Sequence, residues 1–306
     1  MVTNIYVFII AGGFGVRLSP LSTVERPKQF IGFVDGKSLI RQAFERALKL
    51  TDKDKIFVAT NVQHVGLVSQ HLPELPLENI ISEVCLKNTA PAIAFAAYRI
   101  FGLDPNSTMV CMPSDHLITD EDNYVDILKY AGECLLEHDH LVTLGVEPKF
   151  PSTEFGYIKR CPKQLKARFY PVERFVEKPN SKKAQEYLES GQYYWNSGTF
   201  IWRAKTIMDA FVSYCPSISA NHLELPIKGA RSEQVDKYFC DCEKISIDYA
   251  VMERANNIAV IPAHVNWSDI GSWDAISRLM VRSDIRLSDE VTSAYLERAH
   301  NETYSK

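Results

Sequence analysis

The sequence of 306 residues lacks an apolar run long enough to cross a bilayer, since a membrane-spanning helix needs about 20 apolar residues. The N-terminal run MVTNIYVFII is shorter, and it has neither the basic flank nor the cleavage site of a secretory signal. An excess of positive charge is also lacking, because 34 lysines and arginines stand against 38 aspartates and glutamates, a net charge of −4. Nucleic-acid binders normally carry a basic balance or stripe. We therefore expect neither a membrane nor a nucleic acid as partner, and a homodimer stays open.

A disulfide framework is a further feature that the sequence does not indicate. The seven cysteines are odd in number and scattered. The pair Cys240 and Cys242 has too few ligands nearby for a structural zinc site. Reduced thiols and a cytoplasmic location are the expectation.

Short apolar runs alternate with helical patterns, which favours βαβ units and a mostly parallel sheet. Strands are predicted at residues 5–10, 56–59, 109–112 and 141–144, with shorter ones at 157–159, 172–176 and 199–202. Helices are predicted at residues 38–50, 91–101, 124–136, 182–188, 205–214 and 273–281, with Thr89 as the N-cap of the second. Residues 283–306 form a polar, weakly patterned tail, so residues 1–282 are expected to form the main domain, its second half packed on the first sheet.

The loop after the first predicted strand reads AGGFGVRLSPLSTVERPKQF. Its glycines, Gly12 and Gly13 among them, permit close approach of backbone N–H groups to an anion. Arg17 and Lys28 add two cations, and the combination suits a polyphosphate. The spacing fits neither the dinucleotide fingerprint nor a Walker A loop. A tight βα turn without a ligand is the alternative interpretation of the glycines alone.

Two aspartates are candidates for a magnesium site. Ser114 and Asp115 follow the predicted strand at 109–112, and Mg²⁺ is commonly held by one or two carboxylates together with phosphate oxygens. Asp269 lies in NWSDIGS, just before a predicted helix. Each aspartate alone could equally cap a helix or form a turn, and His116 is interpreted as a packing residue.

Polar groups also mark strand ends in the second half of the chain. Glu177 and Lys178 end one apolar strand, Asn196 precedes another, and Gly156 precedes a third. Glutamate and asparagine can hydrogen-bond sugar hydroxyls, and lysine can meet a phosphate. Ordinary exposed strand ends are the alternative.

Together these segments resemble the sugar-1-phosphate nucleotidyltransferases, and within them the mannose-1-phosphate guanylyltransferases. The resemblance covers residues 8–276 and lies in nine segments that occur in the family's order: AGGFGVRLSPLS with PKQF, GKSLIRQAFER, KNTAPAIAFAA, MPSDHLI, FGYIK, RFVEKP, YWNSGTFIWRA, SIDYAVME and NWSDIGSWDA.

The resemblance implies an α/β, Rossmann-like nucleotide-diphospho-sugar transferase fold with a mixed, mostly parallel central sheet. It implies a reaction in which GTP and α-D-mannose 1-phosphate give GDP-mannose and pyrophosphate, by in-line attack without a covalent intermediate and with Mg²⁺ as cofactor. The residue roles that it implies are as follows: Gly12, Gly13, Asn88 and Ser114 bind the nucleotide; Arg17, Lys28 and Lys178 contact phosphates as catalytic residues; Gly156, Glu177 and Asn196 contact the sugar; Asp115 and Asp269 bind the metal.

Departures from the family pattern leave alternatives. Ser19 stands where close members often carry Trp, and the loop residues Phe14 and Val16 are less usual there. The chain has no room for the isomerase domain of many bacterial members, so a catalytic domain with a brief tail and no isomerase activity is expected. Another hexose or heptose 1-phosphate, or another base, would keep the same fold.

Two other classes of protein are alternatives. A catalytically silent regulatory paralogue would be expected to have lost an active-site charge, and Arg17, Lys28, Asp115 and Asp269 are all present. A nucleotide-sugar glycosyltransferase would need a D-x-D motif in a suitable loop, and the D-x-D at Asp120 is better interpreted as a helix start.

Overall fold

A mixed sheet of nine strands forms the centre of the fold in a computed structural model that describes residues 4–220 and 233–304. The strands of the described residues, including two short two-stranded sheets, are β1 (Ile5–Ala11), β2 (Gly32–Val34), β3 (Lys37–Ser38), β4 (Ile56–Asn61), β5 (Ile80–Glu83), β6 (Thr108–Pro113), β7 (Leu117–Ile118), β8 (Leu141–Val146), β9 (Tyr157–Arg160), β10 (Tyr170–Val176), β11 (Tyr193–Arg203), β12 (Ile258–Pro262) and β13 (Trp267–Ser268).

The central sheet has the order β5-β4-β1-β6-β11-β8-β12-β10-β9. Strands β5, β4, β1 and β6 pair in parallel, as do β8 and β12, whereas β10 and β11 pair antiparallel to their neighbours. The prediction of a mixed, mostly parallel sheet is confirmed.

Strand β1 is buried on both faces, which explains its continuous apolar run. Tyr6 and Phe8 point into one hydrophobic cluster, and Val7 and Ile9 point into a second cluster on the opposite face. Successive side chains of a strand alternate between faces, so one strand contributes to both layers of the core.

Helices cover both faces of the sheet. Within the described ranges they are α1 (Leu39–Leu48), α2 (Val65–His71), α3 (Thr89–Leu103), α4 (Glu121–Cys134), α5 (Ser181–Ser190), α6 (Ala204–Tyr214), α7 (Pro216–Ala220), α8 (Glu233–Asp241), α9 (Trp273–Met280) and α10 (Asp289–Tyr304). In that part of the chain, none combines the length and the apolar composition that spanning a membrane requires.

The N-cap of α3 differs from the prediction. Asn88 is the cap, and its side-chain Oδ1 accepts a hydrogen bond from the Thr89 N–H at 2.8 Å. Thr89 is the first helical residue, and its hydroxyl accepts a hydrogen bond from the Ile247 N–H instead. The predicted cap was wrong by one residue because both residue types suit the position and the sequence does not show which one leaves the helix geometry.

The polar segment after residue 282 contains helix α10, which the sequence pattern did not predict. Leu287 and Val291 are buried in a third cluster together with Ile270 and Trp273. Leu287 also forms an antiparallel bridge with Val34. Two buried apolar residues are enough to pack this segment against the domain. They are too few to give the sequence a recognisable helical pattern of apolar residues.

One disulfide corrects the prediction that all cysteines are reduced. Cys85, after β5, is bonded to Cys240 near the end of α8. The partners are 155 residues apart in the chain, so spacing could not reveal the bond. Cys242 is buried and lies outside this disulfide, so the two close cysteines are not partners.

Candidate active site

The candidate site is a cavity of about 280 Å³ at the carboxyl ends of β1 and β6. In open α/β sheets ligands bind at this edge, where the loops of neighbouring strands diverge. Both loops singled out from the sequence line the cavity, through Gly12 and Gly13 on one side and Ser114 and Asp115 on the other. The sequence-predicted sugar residues Gly156, Glu177 and Asn196 line the same cavity.

The glycine loop is held from beneath by a buried glutamine. Gln29 Nε2 donates hydrogen bonds to the carbonyl oxygens of Ala11 at 3.0 Å and Gly13 at 2.9 Å. Gly15 has φ +61°, and a Cβ there would lie 2.8 Å from the backbone nitrogen of Lys28. The loop therefore needs glycine at position 15, whereas the space around Gly13 is open to a ligand.

Lys28 lies between the two aspartates predicted to bind metal. Its Nζ is 3.1 Å from Asp115 Oδ2 and 3.1 Å from Asp269 Oδ1, and its side chain is only 6% exposed. Burial by itself would lower the pKa of Lys28, but the two carboxylates raise it above its usual value, so the ammonium stays charged. Burial opposes ionisation of Asp269 as well, yet the charge of Lys28 and the neighbouring His116 hold the pKa of Asp269 at about 2.

A short two-stranded antiparallel sheet places Asp269 next to Asp115. Strand β13 pairs with β7, which follows Asp115 and His116 directly in the chain. Ile270, next to Asp269, has φ +46°, a strained conformation for a β-branched residue. Backbone strain of this kind concentrates at functional sites.

His116, which the sequence analysis interpreted as a packing residue, faces both aspartates. Its Nδ1 accepts a hydrogen bond from Trp267 Nε1 at 3.1 Å, so the neutral ring carries its proton on Nε2. That nitrogen lies 3.7 Å from Asp269 Oδ1 and 3.9 Å from Asp115 Oδ1. Burial lowers the pKa of His116, which favours the neutral ring despite the two carboxylates.

The residues present fit a divalent cation. Asp115 and Asp269 offer carboxylate oxygens that converge on one position, where the structure already places the cationic Lys28 Nζ. Mg²⁺ favours such hard oxygen donors, with phosphate oxygens and water completing its shell.

Arg17 lies beside the candidate cavity, near Asp269. Its side chain is 60% exposed and forms an ion pair with Glu154, with 2.7 Å between Nη1 and Oε2. Both residues line a second cleft, of about 940 Å³, that borders the first through Phe155, Trp267 and Asp269. Arg17 thus pairs with Glu154 and Lys28 with the two aspartates, while the charges of both cations act on Asp269.

The far end of the cavity is built around Asn196. Strand β11 carries a register shift between Asn196 and Phe200 and a glycine with φ +70° at Gly198, so the strand bends at the site. Asn196 Oδ1 accepts hydrogen bonds from Thr143 Oγ1 at 2.8 Å and the Gly198 N–H at 3.2 Å. The side-chain orientation is therefore fixed, and Asn196 Nδ2 donates to Asp248 Oδ1 at 3.0 Å.

Glu177 and Lys178 follow β10 into the same end of the cavity. Lys178 Nζ donates to Glu177 Oε1 at 2.7 Å, and Lys178 adopts φ +45°. Within the described residues Glu177 Oε2 is buried without a hydrogen-bond partner. A Cβ on Gly156 would lie only 2.5 Å from that oxygen, so glycine at 156 leaves the space in which Glu177 sits.

The sequence-predicted residues therefore gather at one site, except Arg17, which lines only the second cleft, and Asn88. Asn88 is exposed and caps α3, and it is Thr89 that lines the cavity. Sequence reasoning missed the functional candidates Gln29, Trp267 and Asp248, the last of which lines the cavity beside Glu177. All three lie within the segments that carry the family resemblance, but nothing in their spacing distinguishes them from their neighbours.

The chain is similar to known proteins in sequence and in fold. Residues 6–283 match the sequence profile of the family described as Nucleotidyl transferase. A mannose-1-phosphate guanylyltransferase of Salmonella montevideo is 38% identical over 283 residues, which are 88% of this chain and 58% of that protein. The chain thus spans less than two thirds of that relative's length.

Two solved structures are similar in fold and sequence. A Thermus thermophilus structure described as a mannose-1-phosphate geranyltransferase has a TM-score of 0.82 and 30% identity, covering 92% of this chain and 80% of the other. A Helicobacter pylori structure described as a mannose-6-phosphate isomerase has a TM-score of 0.71 and 32% identity, covering 87% of this chain and 99% of the other.

Proposed function

Since the chain belongs to the nucleotidyl transferase family, we propose that it transfers GMP from GTP to α-D-mannose 1-phosphate, giving GDP-mannose and pyrophosphate. The name of the Salmonella relative supports this choice of substrates. The observation that carries the proposal is that one cavity has two chemically different ends. Asp115 and Asp269 line the charged end, with Lys28 in contact with both, and Glu177 and Asn196 form an end rich in hydrogen-bonding groups.

The charged end suits a triphosphate. Lys28 stays protonated between two carboxylates, so it can transfer its ammonium contacts to phosphate oxygens without a change in protonation. Arg17 is exposed enough to turn from Glu154 towards the same phosphates. These cations would neutralise the charge that develops on the departing pyrophosphate.

Asp115 and Asp269 would hold Mg²⁺, the cofactor predicted from the resemblance. When bound, the ion supplies positive charge that neutralises the phosphates and orients them. The two aspartates would thus face a positive charge both without and with the metal. Without it the charge is the Lys28 ammonium, and with it the charge is Mg²⁺.

The other end suits a hexose. Glu177 Oε2 is a buried acceptor without a partner among the described residues, which a sugar hydroxyl would satisfy. Lys178, half exposed, can swing from Glu177 to the phosphate of the sugar. That phosphate oxygen is already an anion, so it can attack the α-phosphorus in line without a strong general base or a covalent enzyme intermediate.

The test is pyrophosphate release by the purified protein with Mg²⁺. Four nucleoside triphosphates are crossed with the 1-phosphates of mannose, glucose and N-acetylglucosamine. Release with GTP and mannose 1-phosphate, lost in Asp115→Asn and Asp269→Asn, is the expected result. Release with another pair would move the specificity and keep the mechanism.

Two further outcomes would contradict the proposal. Tight binding of GDP-mannose without release from any pair would favour a silent regulatory paralogue. Interconversion of mannose 6-phosphate and fructose 6-phosphate without pyrophosphate release would favour the activity named for the Helicobacter pylori structure. The cytoplasmic location and the homodimer stay predictions.

A further inference from the structure

Asp248 is a carboxylate in the candidate sugar end that none of the proposed roles uses. It opens a short π-helical turn, Asp248–Met252, and lines the cavity together with Glu177 and Asn196. Protein surrounds it on most sides, and part of its surface opens onto the cavity. A partly accessible carboxylate deep in a ligand cavity needs a physical explanation, because burial of a charge is costly.

The backbone around Asp248 is fixed to the nucleotide side of the site. The Ile247 N–H donates to Thr89 Oγ1 at 2.9 Å, and the Ala90 N–H donates to the Ile245 carbonyl at 3.1 Å. The Ile245 N–H in turn donates to the Lys87 carbonyl at 3.1 Å. Asp248 is therefore presented by a rigid segment, which suits a residue that reads a ligand by geometry.

The side chain of Asp248 is oriented by Asn196. Because Thr143 and the Gly198 N–H both donate to Asn196 Oδ1, the Asn196 amide must present its N–H to Asp248 Oδ1. One N–H of the Asn196 amide is thus engaged by Asp248. The Asp248 carboxylate also accepts hydrogen bonds from the Ser246 side chain and from a backbone N–H, so several donors fix its orientation at the edge of the cavity.

Asp248 and Glu177 are two carboxylates that line the same end of the cavity. Burial raises the pKa of Asp248 most and the charge of Glu177 raises it further, to about 7, against smaller opposite effects of a backbone N–H, Lys178 and Ser246. O–H and N–H groups that donate a hydrogen bond to a carboxylate favour its ionised form. A polyol ring brings such donors into the cavity at the moment it binds.

We propose that Asp248 is a specificity-determining residue that accepts a hydrogen bond from a ring hydroxyl of the hexose, while Glu177 accepts one from a neighbouring hydroxyl. This inference rests on the proposed function and adds to it the part of the sugar that the site recognises. The pair selects a ring with two adjacent free hydroxyls and rejects one in which either is missing. Asn196 is the shared support that keeps Asp248 in place.

The experiment measures kcat/KM with GTP for the hexose 1-phosphate that the wild type uses and for its 2-, 3-, 4- and 6-deoxy analogues. The variants are Asp248→Ala, Asp248→Asn and Glu177→Ala, with Asp241→Asn as the matched control, since Asp241 is an exposed acid seven residues away. In Asp248→Asn the new side chain still has an oxygen that can accept a hydrogen bond from Asn196 Nδ2. This variant therefore distinguishes a residue that only positions Asn196 from one that binds a sugar hydroxyl.

The wild type should lose about 10- to 100-fold in kcat/KM on the analogue that lacks the hydroxyl read by Asp248, because a hydrogen bond to a charged group is lost. Asp248→Ala should lose a similar factor on the parent sugar and then show no further loss on that analogue. Glu177→Ala should show the same behaviour with an adjacent hydroxyl. The KM for GTP should change less than twofold in Asp248→Asn and Asp241→Asn.

Two results would overturn the inference while the proposed function stands. One is an Asp248→Ala variant that slows the parent and every analogue by the same factor, which is the behaviour of a residue that only supports Asn196. The other is an unchanged kcat/KM in Asp248→Ala. A wild type that neither turns over nor binds any hexose 1-phosphate in calorimetry would overturn the proposed function, and the inference with it.

Discussion

Arg17 and Glu154 form an ion pair across the mouth of the site, with 2.7 Å between Nη1 and Oε2. Glu154 lies in the loop between β8 and β9 and lines both clefts, two residues before Gly156. The arginine proposed to bind the triphosphate is therefore already paired with an acid on the sugar side. Both side chains are about 60% exposed, so the pair is weak enough to break when a more highly charged partner arrives.

Glu154→Gln should therefore lower the KM for the nucleoside triphosphate. The change removes a competitor for Arg17 and retains the size of the side chain, and an exposed ion pair contributes roughly 0.2–1 kcal/mol, which corresponds to at most about a fivefold decrease. Steady-state kinetics at low and high salt measure the effect, which should shrink as salt screens the pair.

The matched control is Glu173→Gln, another exposed acid of the second half, paired with Lys159 away from the cavity. It should leave the KM for the triphosphate unchanged. A KM that rises in Glu154→Gln would show that Glu154 assists binding of the nucleotide and does not compete with it.

Gly156→Ala should damage the use of the sugar phosphate selectively. The added Cβ would lie 2.5 Å from Glu177 Oε2 and 3.2 Å from Asn196 Cβ, so the buried glutamate must move. We expect the KM for the hexose 1-phosphate to rise roughly 10-fold or more, with less than a twofold change in the KM for GTP.

Gly66→Ala is the control for the alanine substitution itself. Gly66 is exposed in α2, and no atom outside its immediate neighbours lies within 4 Å of its added Cβ. It should raise the melting temperature slightly, by helix propensity, without changing either KM. Equal effects of the two variants on the sugar KM would contradict the geometry at Gly156.

The sequence was sufficient to predict the sheet and most of the site for definite physical reasons. Apolar runs such as β1 and β6 have few alternatives to buried strands, and polar residues directly after parallel strands must meet at one sheet edge. The glycines of the first loop, Arg17 and Lys28 follow from that rule together with their charge. Their roles as individual residues came from the family resemblance.

What could not be predicted depends on contacts between distant segments. Asp248 becomes important only because the segment after α8 packs on Thr89, and Trp267 only because β13 meets β7 beside His116. The ion pair of Arg17 with Glu154 spans 137 positions in the chain. Short strand β12 was missed for a different reason, since an isolated run of five apolar residues does not distinguish a strand from a buried helix.

Lys28→Met should abolish most activity and destabilise the fold. Methionine removes the positive charge that faces Asp115 and Asp269, and the loss of one partner from a buried ion pair costs about 3–5 kcal/mol. Pyrophosphate release should fall at least 100-fold, and the melting temperature should fall in the absence of Mg²⁺. Added Mg²⁺ should raise the melting temperature of the variant more than that of the wild type, because the two carboxylates then lack their ammonium.

Lys37→Met provides the comparison, since Lys37 is about half exposed and pairs with Glu45 at the surface. It should change the melting temperature by less than a few degrees and respond to Mg²⁺ as the wild type does. A Lys28→Met variant that responds to Mg²⁺ no more than Lys37→Met would argue against a cation site formed by Asp115 and Asp269.

The disulfide predicts a specific thiol count. Alkylation of the denatured protein without reductant should label five cysteines, and all seven after reduction, as mass spectrometry can read directly. Cys240→Ser should leave six cysteines that label without reductant, because its partner Cys85 is freed. Seven labelled cysteines in the unreduced protein would restore the expectation from the sequence.

The last prediction concerns pH and follows from the raised pKa of Asp248. An ordinary aspartate has a pKa near 3.8, whereas burial and the charge of Glu177 raise the pKa of Asp248 in the folded protein to about 7. Between these two values the folded state binds more protons than the unfolded state, so the free energy of unfolding falls as the pH rises. The stabilisation is fully present below about pH 3.8 and is lost progressively as the pH rises to about 7, and the total loss amounts to a few kcal/mol at most.

Asp248→Asn removes this titration while it keeps the acceptor for Asn196, so it should be more stable than the wild type above pH 7 and should lose that advantage at pH 5. Urea unfolding of both proteins at pH 5, 6, 7 and 8 gives the difference directly, and Asp241→Asn, which changes an exposed acid on the same stretch of chain, should show no such trend. Saturation with the hexose 1-phosphate should narrow the gap at pH 8, because donated hydroxyl hydrogen bonds stabilise the ionised carboxylate. A stability difference that is constant from pH 5 to pH 8 would mean that Asp248 does not titrate in this range and would contradict the raised pKa.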